Sequence, residues 1–280
     1  MSVIELKDIS YRYPLEKEDT IKNVSCKFEA GKVYGLIGEN GSGKTTICNI
    51  IRGFIPSFYK GELRGVVLLK DKKLEEYDYE DLASIIGYSF QNPFTQISGV
   101  KETVYEEIAY GLENLGVPRE EIIKRVEELL DLFKLRELAQ KNPYELSGGQ
   151  KQRVALAAVV ALDPEIIIMD EPTSQLDPKS TADIFEIIDI LKKQKKVVIL
   201  VEHKIDLVAQ YCDSIIFMHD GECKLSGTAR EVLTNPKVLE MGGQLPQVTL
   251  YFLERIKRGE KFDMIPLNVK EAYSILKGEE

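Results

Sequence analysis

The sequence predicts an α/β fold, a parallel core sheet covered by helices. Two observations carry that expectation. Short apolar runs alternate with segments of helical periodicity along the chain. Three of those runs, at residues 33–37, 166–169 and 197–201, are uninterrupted, as strands buried on both faces require. The first leads at once into glycines and then a helix, and all three are expected to share one core sheet. Between them, Ile122, Val126, Leu129, Leu130 and Phe133 recur at helical spacing in a charged background. They mark an amphipathic helix in an inserted helical subdomain, roughly residues 95–160.

Residues 214–218 and 223–225 flank Asp220 and Gly221, a dipeptide suited to the positive φ angles of a tight hairpin turn. The sheet is expected to end there, with a boundary near residue 228 between a domain at 1–228 and a helical extension at 229–280. In that extension Pro246 starts one helix, and Asn268 with Glu271 three residues later predicts a capping box for the last. No tandem repeat or low-complexity tract is visible.

With 280 residues, 44% of them hydrophobic, the chain can bury a full core. A net charge of -9 argues against a general nucleic-acid coat, so an anionic ligand would need a dedicated pocket. Cys26, Cys48, Cys212 and Cys223 share no metal-ligand spacing, which predicts free thiols and a reduced cytosolic setting. The longest purely apolar run, residues 154–162, is half of the ~18 residues that suggest a membrane span. Any membrane role is therefore expected to be peripheral.

Residues 38–45, GENGSGKT, match the phosphate-binding loop in full and lie between a predicted strand and a predicted helix. The glycines let backbone N–H groups converge on phosphate oxygens, and the helix N-terminus adds partial positive charge. Candidate phosphate contacts are Gly38, Asn40, Gly41, Ser42, Gly43, Lys44, Thr45 and Thr46. Lys44 reaches the β and γ phosphates, and the Thr45 hydroxyl serves Mg²⁺. The run at 166–169 ends in Asp170 and Glu171, which alternation along a strand would aim to opposite sides. Asp170 would then hold the Mg²⁺ shell and Glu171 would orient or deprotonate the water attacking the γ phosphate of ATP.

Residues 146–150, LSGGQ, followed by Lys151, Gln152, Arg153 and an apolar helix, resemble the signature of the ABC ATPases. That resemblance covers residues 1–228. It implies a P-loop NTPase of ABC type, with a parallel core sheet, an antiparallel β subdomain, an inserted α-helical subdomain and a small C-terminal helical extension. It implies that Ser147, Gly148, Gly149 and Gln150 bind the γ phosphate held by an opposite subunit. By the same resemblance Gln91 is the glutamine that contacts metal and water, and His203 is the switch histidine. Tyr13 is the aromatic that stacks on adenine, and Asp177 closes a loop along the dimer interface. Gln175 stands there in place of a small residue.

The stretch QNPFTQ at 91–96, residues 103–116 and the LPQV segment at 245–248 are similar to the energy-coupling-factor ATPases, with Phe94 where Asp is expected. The likeness implies an ATP-hydrolysing subunit of an importer of a vitamin or transition-metal ion. Its partners would be a second ABC ATPase subunit, a transmembrane coupling subunit and a substrate-binding membrane subunit, at the cytoplasmic face of the cell membrane. Another ABC importer or exporter, or a soluble non-transport ABC ATPase, are the alternatives.

Overall fold

The computed structural model describes residues 2–174 and 176–277, so Gln175 lies outside the described residues. Two compact units share them: one takes residues 1–73 and 201–280, the other residues 74–200.

The first unit opens with β1 (Ser2–Arg12) and β2 (Ile21–Glu29), then β3 (Val33–Gly38) and α1 (Lys44–Ile51), then β4 (Glu62–Leu69) and β5 (Lys72–Lys73). Strands β2, β1, β4 and β5 form an antiparallel sheet in that order. In β1 the buried side chains run Ile4, Leu6, then Ile9, Tyr11, so the inward set slips by one residue midway. A β-bulge absorbs that slip: the register shifts between Leu6 and Ile9, and Asp8 takes a φ of 51°. Gly65 on the facing strand makes room, since a Cβ there would lie 2.5 Å from the Asp8 carbonyl oxygen.

The second unit carries α2 (Tyr79–Ile85), β6 (Ile86–Ser89), α3 (Val104–Asn114), α4 (Arg119–Leu132), α5 (Gly148–Ala161), β7 (Ile166–Asp170), α6 (Pro178–Lys193) and most of β8 (Val197–Val201). β6 and β7 pair in parallel, and β8 lies beside β7. Every residue of β7 and β8 is buried, as their unbroken apolar runs require. In α4 the predicted stripe buries Val126, Leu129 and Leu130, and Phe133 follows them into the core at the helix end.

Back in the first unit, α7 (Ile205–Tyr211) precedes β9 (Ser214–His219) and β10 (Glu222–Thr228). β9 is parallel to β3 and antiparallel to β10. The expected hairpin turn forms, with φ of 49° at Asp220 and 79° at Gly221. The chain then becomes helical at α8 (Ala229–Leu233), which a capping box between Thr228 and Glu231 starts. The helices α9 (Lys237–Glu240), α10 (Gln247–Lys257) and α11 (Val269–Lys277) follow.

At α11 the predicted capping box is only half present. Asn268 Oδ1 accepts the Glu271 N–H at 3.0 Å, but the Glu271 carboxylate accepts from Leu267 N instead and meets Arg230 Nη2 at 2.9 and 3.0 Å. An arginine from α8 takes the carboxylate, adding two charge-assisted bonds to the one it accepts from Leu267 N. Arg230 also donates to Ile265 O at 2.7 Å, and the buried Thr249 hydroxyl donates to Pro266 O at 2.7 Å. All four cysteines are free thiols. Among the described residues no helix is long and apolar enough to cross a membrane.

Candidate active site

The phosphate loop is shaped by close approaches that only glycine permits. Gly38, Gly41 and Gly43 take φ of 145°, 81° and 100°. A Cβ on Gly38 would lie 2.1 Å from the Met218 carbonyl oxygen of β9, and one on Gly43 would lie 2.5 Å from Ile21 Cδ1 at the start of β2. Gly41 has open space around it and needs glycine for its backbone angle alone.

Beyond the loop, α1 starts on the left-handed Gly43 with no side-chain cap, the arrangement that leaves an N-terminus to an anion. Lys44 is buried, and its Nζ donates to the carbonyls of Gly38 at 2.9 Å and Glu39 at 2.8 Å. The ammonium is thus folded over its own loop. Ser42 Oγ is buried with no hydrogen-bond partner among the described residues, while Asn40 and Thr45 are exposed. An orphaned hydroxyl, an uncapped helix start and a lysine in one loop fit a polyphosphate. Thr46 is buried and its hydroxyl shares a 3.1 Å hydrogen bond with Tyr13, whose ring packs edge-on against Tyr11.

His203 is exposed, immediately after β8. Its position is set by its neighbour: the buried Glu202 turns its carboxylate back to accept the amides of His203 at 2.7 Å and Lys204 at 3.2 Å. Sequence reading missed Glu202, although a glutamate ending an all-apolar strand is a signal in itself.

In the second unit the acidic pair departs from expectation in one respect. Asp170 is the last residue of β7, but Glu171 lies past the strand with φ 49°, so a left-handed turn rather than strand alternation separates the two carboxylates. They do have different partners. Asp170 is buried and its Oδ2 accepts the Tyr88 hydroxyl at 3.1 Å, whereas Glu171 Oε2 accepts Gln91 Nε2 at 2.7 Å. Gln91 is exposed. Tyr88 was not foreseen, since alternation in a four-residue strand gives no hint of a cross-strand hydroxyl.

Ser147 caps α5 in a full capping box: its hydroxyl accepts from Gln150 N, and Gln150 Oε1 accepts from Ser147 N at 3.0 Å. Gly148 and Gly149 form the first turn, so an exposed serine and two small residues front the helix start. Lys151 is buried beneath Phe94, its Nζ 4.3 Å from the ring centroid and 2.9 Å from Tyr144 O. Asp177 N-caps α6, accepting from the amides of Lys179 at 2.9 Å and Ser180 at 3.0 Å. The Ser180 hydroxyl and amide hold its carboxyl below the usual range. No group of three or more His, Cys, Asp or Glu side chains suited to a metal forms among the described residues. Mg²⁺ is a hard cation that takes one or two carboxylates together with phosphate oxygens, and the buried Asp170 carboxylate is of that kind.

A strand, a glycine loop and a helix that begins at Lys44, together with a buried strand that ends in Asp170, define a P-loop NTPase. The sequence pattern of the ABC transporter family matches residues 21–174, more than half of the chain, and the chain belongs to that family. Among its relatives, the energy-coupling factor transporter ATP-binding protein EcfA of Enterococcus faecium is 38% identical, over 92% of this chain and 89% of that one. Among solved structures, cbiO1 of Clostridium perfringens, part of the ABC transporter complex cbiONQ, superposes with a TM-score of 0.74 at 30% identity, covering 92% of this chain and 98% of that one. A dimeric ATP-binding cassette in a post-hydrolysis state, bound to ADP and Pi, gives a TM-score of 0.70 at 30% identity, over 81% of this chain and 99% of that one. The fold is that of an ABC-type ATPase cassette.

The loop geometry predicts graded costs. Gly41→Ala meets only backbone strain, about 1–2 kcal/mol. Gly38→Ala adds a collision with the β9 backbone and should cost about 2–4 kcal/mol, with loss of nucleotide binding. Denaturant unfolding of both variants measures the difference, and equal costs would contradict the assigned contact.

Proposed function

We propose that this chain hydrolyses ATP to power an energy-coupling-factor importer of a vitamin or transition-metal ion. The observation that carries the reading is a phosphate loop built from backbone, on a chain that also bears Asp170 at the end of a buried strand with Glu171 and Gln91 just beyond strand ends, and is 38% identical to an EcfA protein. The loop amides, Ser42 and Lys44 hold the nucleotide phosphates, with Tyr13 against the base. Lys44 exchanges its bonds to the Gly38 and Glu39 carbonyls for phosphate oxygens. Thr45, Asp170 and Gln91 hold Mg²⁺, which when bound neutralises charge on the β and γ phosphates. Glu171 accepts the proton of the attacking water, and Gln91, already bonded to that carboxylate, fixes its direction. His203, placed by Glu202, contacts the γ phosphate.

In this reading the nucleotide is shared between two ATPase subunits: each chain's Ser147, Gly148, Gly149 and Gln150 face the γ phosphate held by the other, and Asp177 lies at that interface. The membrane partners are a coupling subunit and a substrate-binding subunit, with the chain peripheral on the cytoplasmic face. Residues 229–280 help the two ATPase subunits stay together. Exposed apolar side chains there, Tyr251, Val269, Tyr273 and Leu276, support that role.

Glu171→Gln keeps the shape and the backbone turn while removing proton affinity. It should leave ATP binding intact and slow turnover by about 100-fold or more, measured as steady-state phosphate release. Near-native turnover by the pure variant would remove Glu171 from its role.

Deleting residues 229–280 should weaken nucleotide-independent association of two cassettes in sedimentation. A truncated chain that self-associates as tightly as the whole one would leave the extension as a packing element only.

Shared sites make a further outcome testable by mixing two defective chains. Lys44→Ala breaks a chain's own phosphate loop, and Ser147→Arg blocks the surface offered to its partner. Either homodimer has two faulty sites, whereas a mixed dimer has one with both faults and one with none. Mixing, with crosslinking to establish that mixed dimers form, should restore nucleotide-dependent closure. Mixed dimers without any recovery would count against shared sites.

A further inference from the structure

The loop that carries Gln91 folds back on the strand leading into it. Asn92 begins the reversal: its Oδ1 accepts Phe94 N at 3.0 Å and its carbonyl accepts the Thr95 hydroxyl at 2.8 Å. Gln96 N then donates to Pro93 O at 3.1 Å, which aims the Gln96 side chain back toward β6. There its Oε1 accepts Phe90 N at 3.1 Å, and its Nε2 donates to Tyr88 O at 3.3 Å.

Those two bonds, to the amide and carbonyl on either side of Ser89, are the pair that a residue of a neighbouring parallel strand would make. β6 ends the strand order of its sheet, so the carboxamide extends the ladder by one peptide-like unit. Nε2 also lies 3.3 Å from Ala155 O in α5, the helix that Ser147 caps. One side-chain amide therefore joins the segment that ends in Gln91 to the helix that begins at the signature.

We propose that Gln96 is a positioning residue for ATP hydrolysis: its carboxamide fixes the end of β6 against α5, so that Gln91 meets the Glu171 carboxylate. The proposal rests on the ATPase reading above. Two of the three contacts are long for N–H···O bonds, so their summed contribution to stability is modest. Placement is a different matter, because a shift of about 1 Å at a reacting group can cost about 100-fold in rate. The partners of the carboxamide are Tyr88, Phe90 and Ala155, none of them in the phosphate loop. The effect of its loss therefore falls on turnover and spares nucleotide affinity.

Gln96→Glu tests this on the full chain. It preserves shape but sets a carboxylate oxygen against two carbonyls. The expected result is a fall in kcat of about tenfold or more with the Kd for ATP unchanged. Burial beside carbonyl oxygens raises a carboxyl's pKa, so the glutamic acid becomes protonated as pH falls. The protonated form again accepts from Phe90 N and donates to one carbonyl. Turnover of Gln96→Glu relative to the native chain should therefore climb between pH about 8 and about 6, and that of Gln96→Leu should not.

Because Gln96 acts through Gln91, Gln91→Ala/Gln96→Glu should be no slower than Gln91→Ala. A full-rate Gln96→Glu, a loss that adds to Gln91→Ala, or a deficit that ignores pH overturns the proposal. Should Gln96→Glu fail to fold, hydrogen exchange on the native chain decides: a protected Phe90 amide supports it and a freely exchanging one overturns it. A native chain that does not hydrolyse ATP, or a Glu171→Gln variant of native rate, defeats the ATPase reading itself. A silent Gln96→Glu beside a crippled Glu171→Gln defeats only the positioning role.

Discussion

Where β3 runs out, the backbone passes so near β9 that no side chain fits between them: a Cβ at Gly38 would stand 2.1 Å from the Met218 carbonyl oxygen. This approach fixes where the phosphate loop begins. Gly43 marks where it ends, through its φ of 100° more than through its approach to the Ile21 side chain, which could give way. Held at both ends, the loop must turn through conformations with positive φ, and α1 must leave along one direction. Lys44 then has only one place to go, across the loop it terminates, where it closes on the Gly38 and Glu39 carbonyls. The shape of the loop rests on what glycine lacks.

The second unit reaches its chemistry by the opposite route. Its polar groups are side chains held by other side chains or, at Gln96, by backbone. Tyr88 reaches Asp170 from the neighbouring strand, Gln91 reaches Glu171 from the loop beyond it, and Gln96 returns to the strand from which both hang. Burial makes the contact matter most at Asp170, where a buried polar group without a partner would cost about 1–3 kcal/mol. The left-handed turn at Glu171 belongs to the same economy of space: it lifts one carboxylate out of a strand whose every residue is buried.

Sequence periodicity exposed the scaffold well. Runs of four or five apolar residues gave β7 and β8 nearly to the residue, and the Asp220-Gly221 dipeptide gave the hairpin because few other pairs accept two positive φ angles in succession. The phosphate loop was legible for the same reason, since its glycines are geometric necessities. Tertiary competition for polar atoms was not legible. Glu271 sits at the right spacing for a capping box, yet Arg230, 41 residues away, takes its carboxylate. Gln96 shows nothing in the sequence beyond its place in the QNPFTQ stretch, because its partners come from a strand and a helix that meet only in the folded unit. Glu171 followed an unbroken strand pattern, and nothing in that pattern announces a residue that leaves it.

The difference between the two units has a consequence for how each answers to its surroundings. Peptide N–H groups neither gain nor lose protons between acid and alkaline solution, and no oxidant or modifying enzyme alters them. A loop that offers them keeps that part of its character constant while pH drifts, whatever its side chains do. A carboxylate, by contrast, can take up a proton, while a phenol or a carboxamide directs one through a hydrogen bond without changing its charge. In the first unit the loop takes its shape from backbone, and in the second the polar contacts are made by side chains that accept or direct protons.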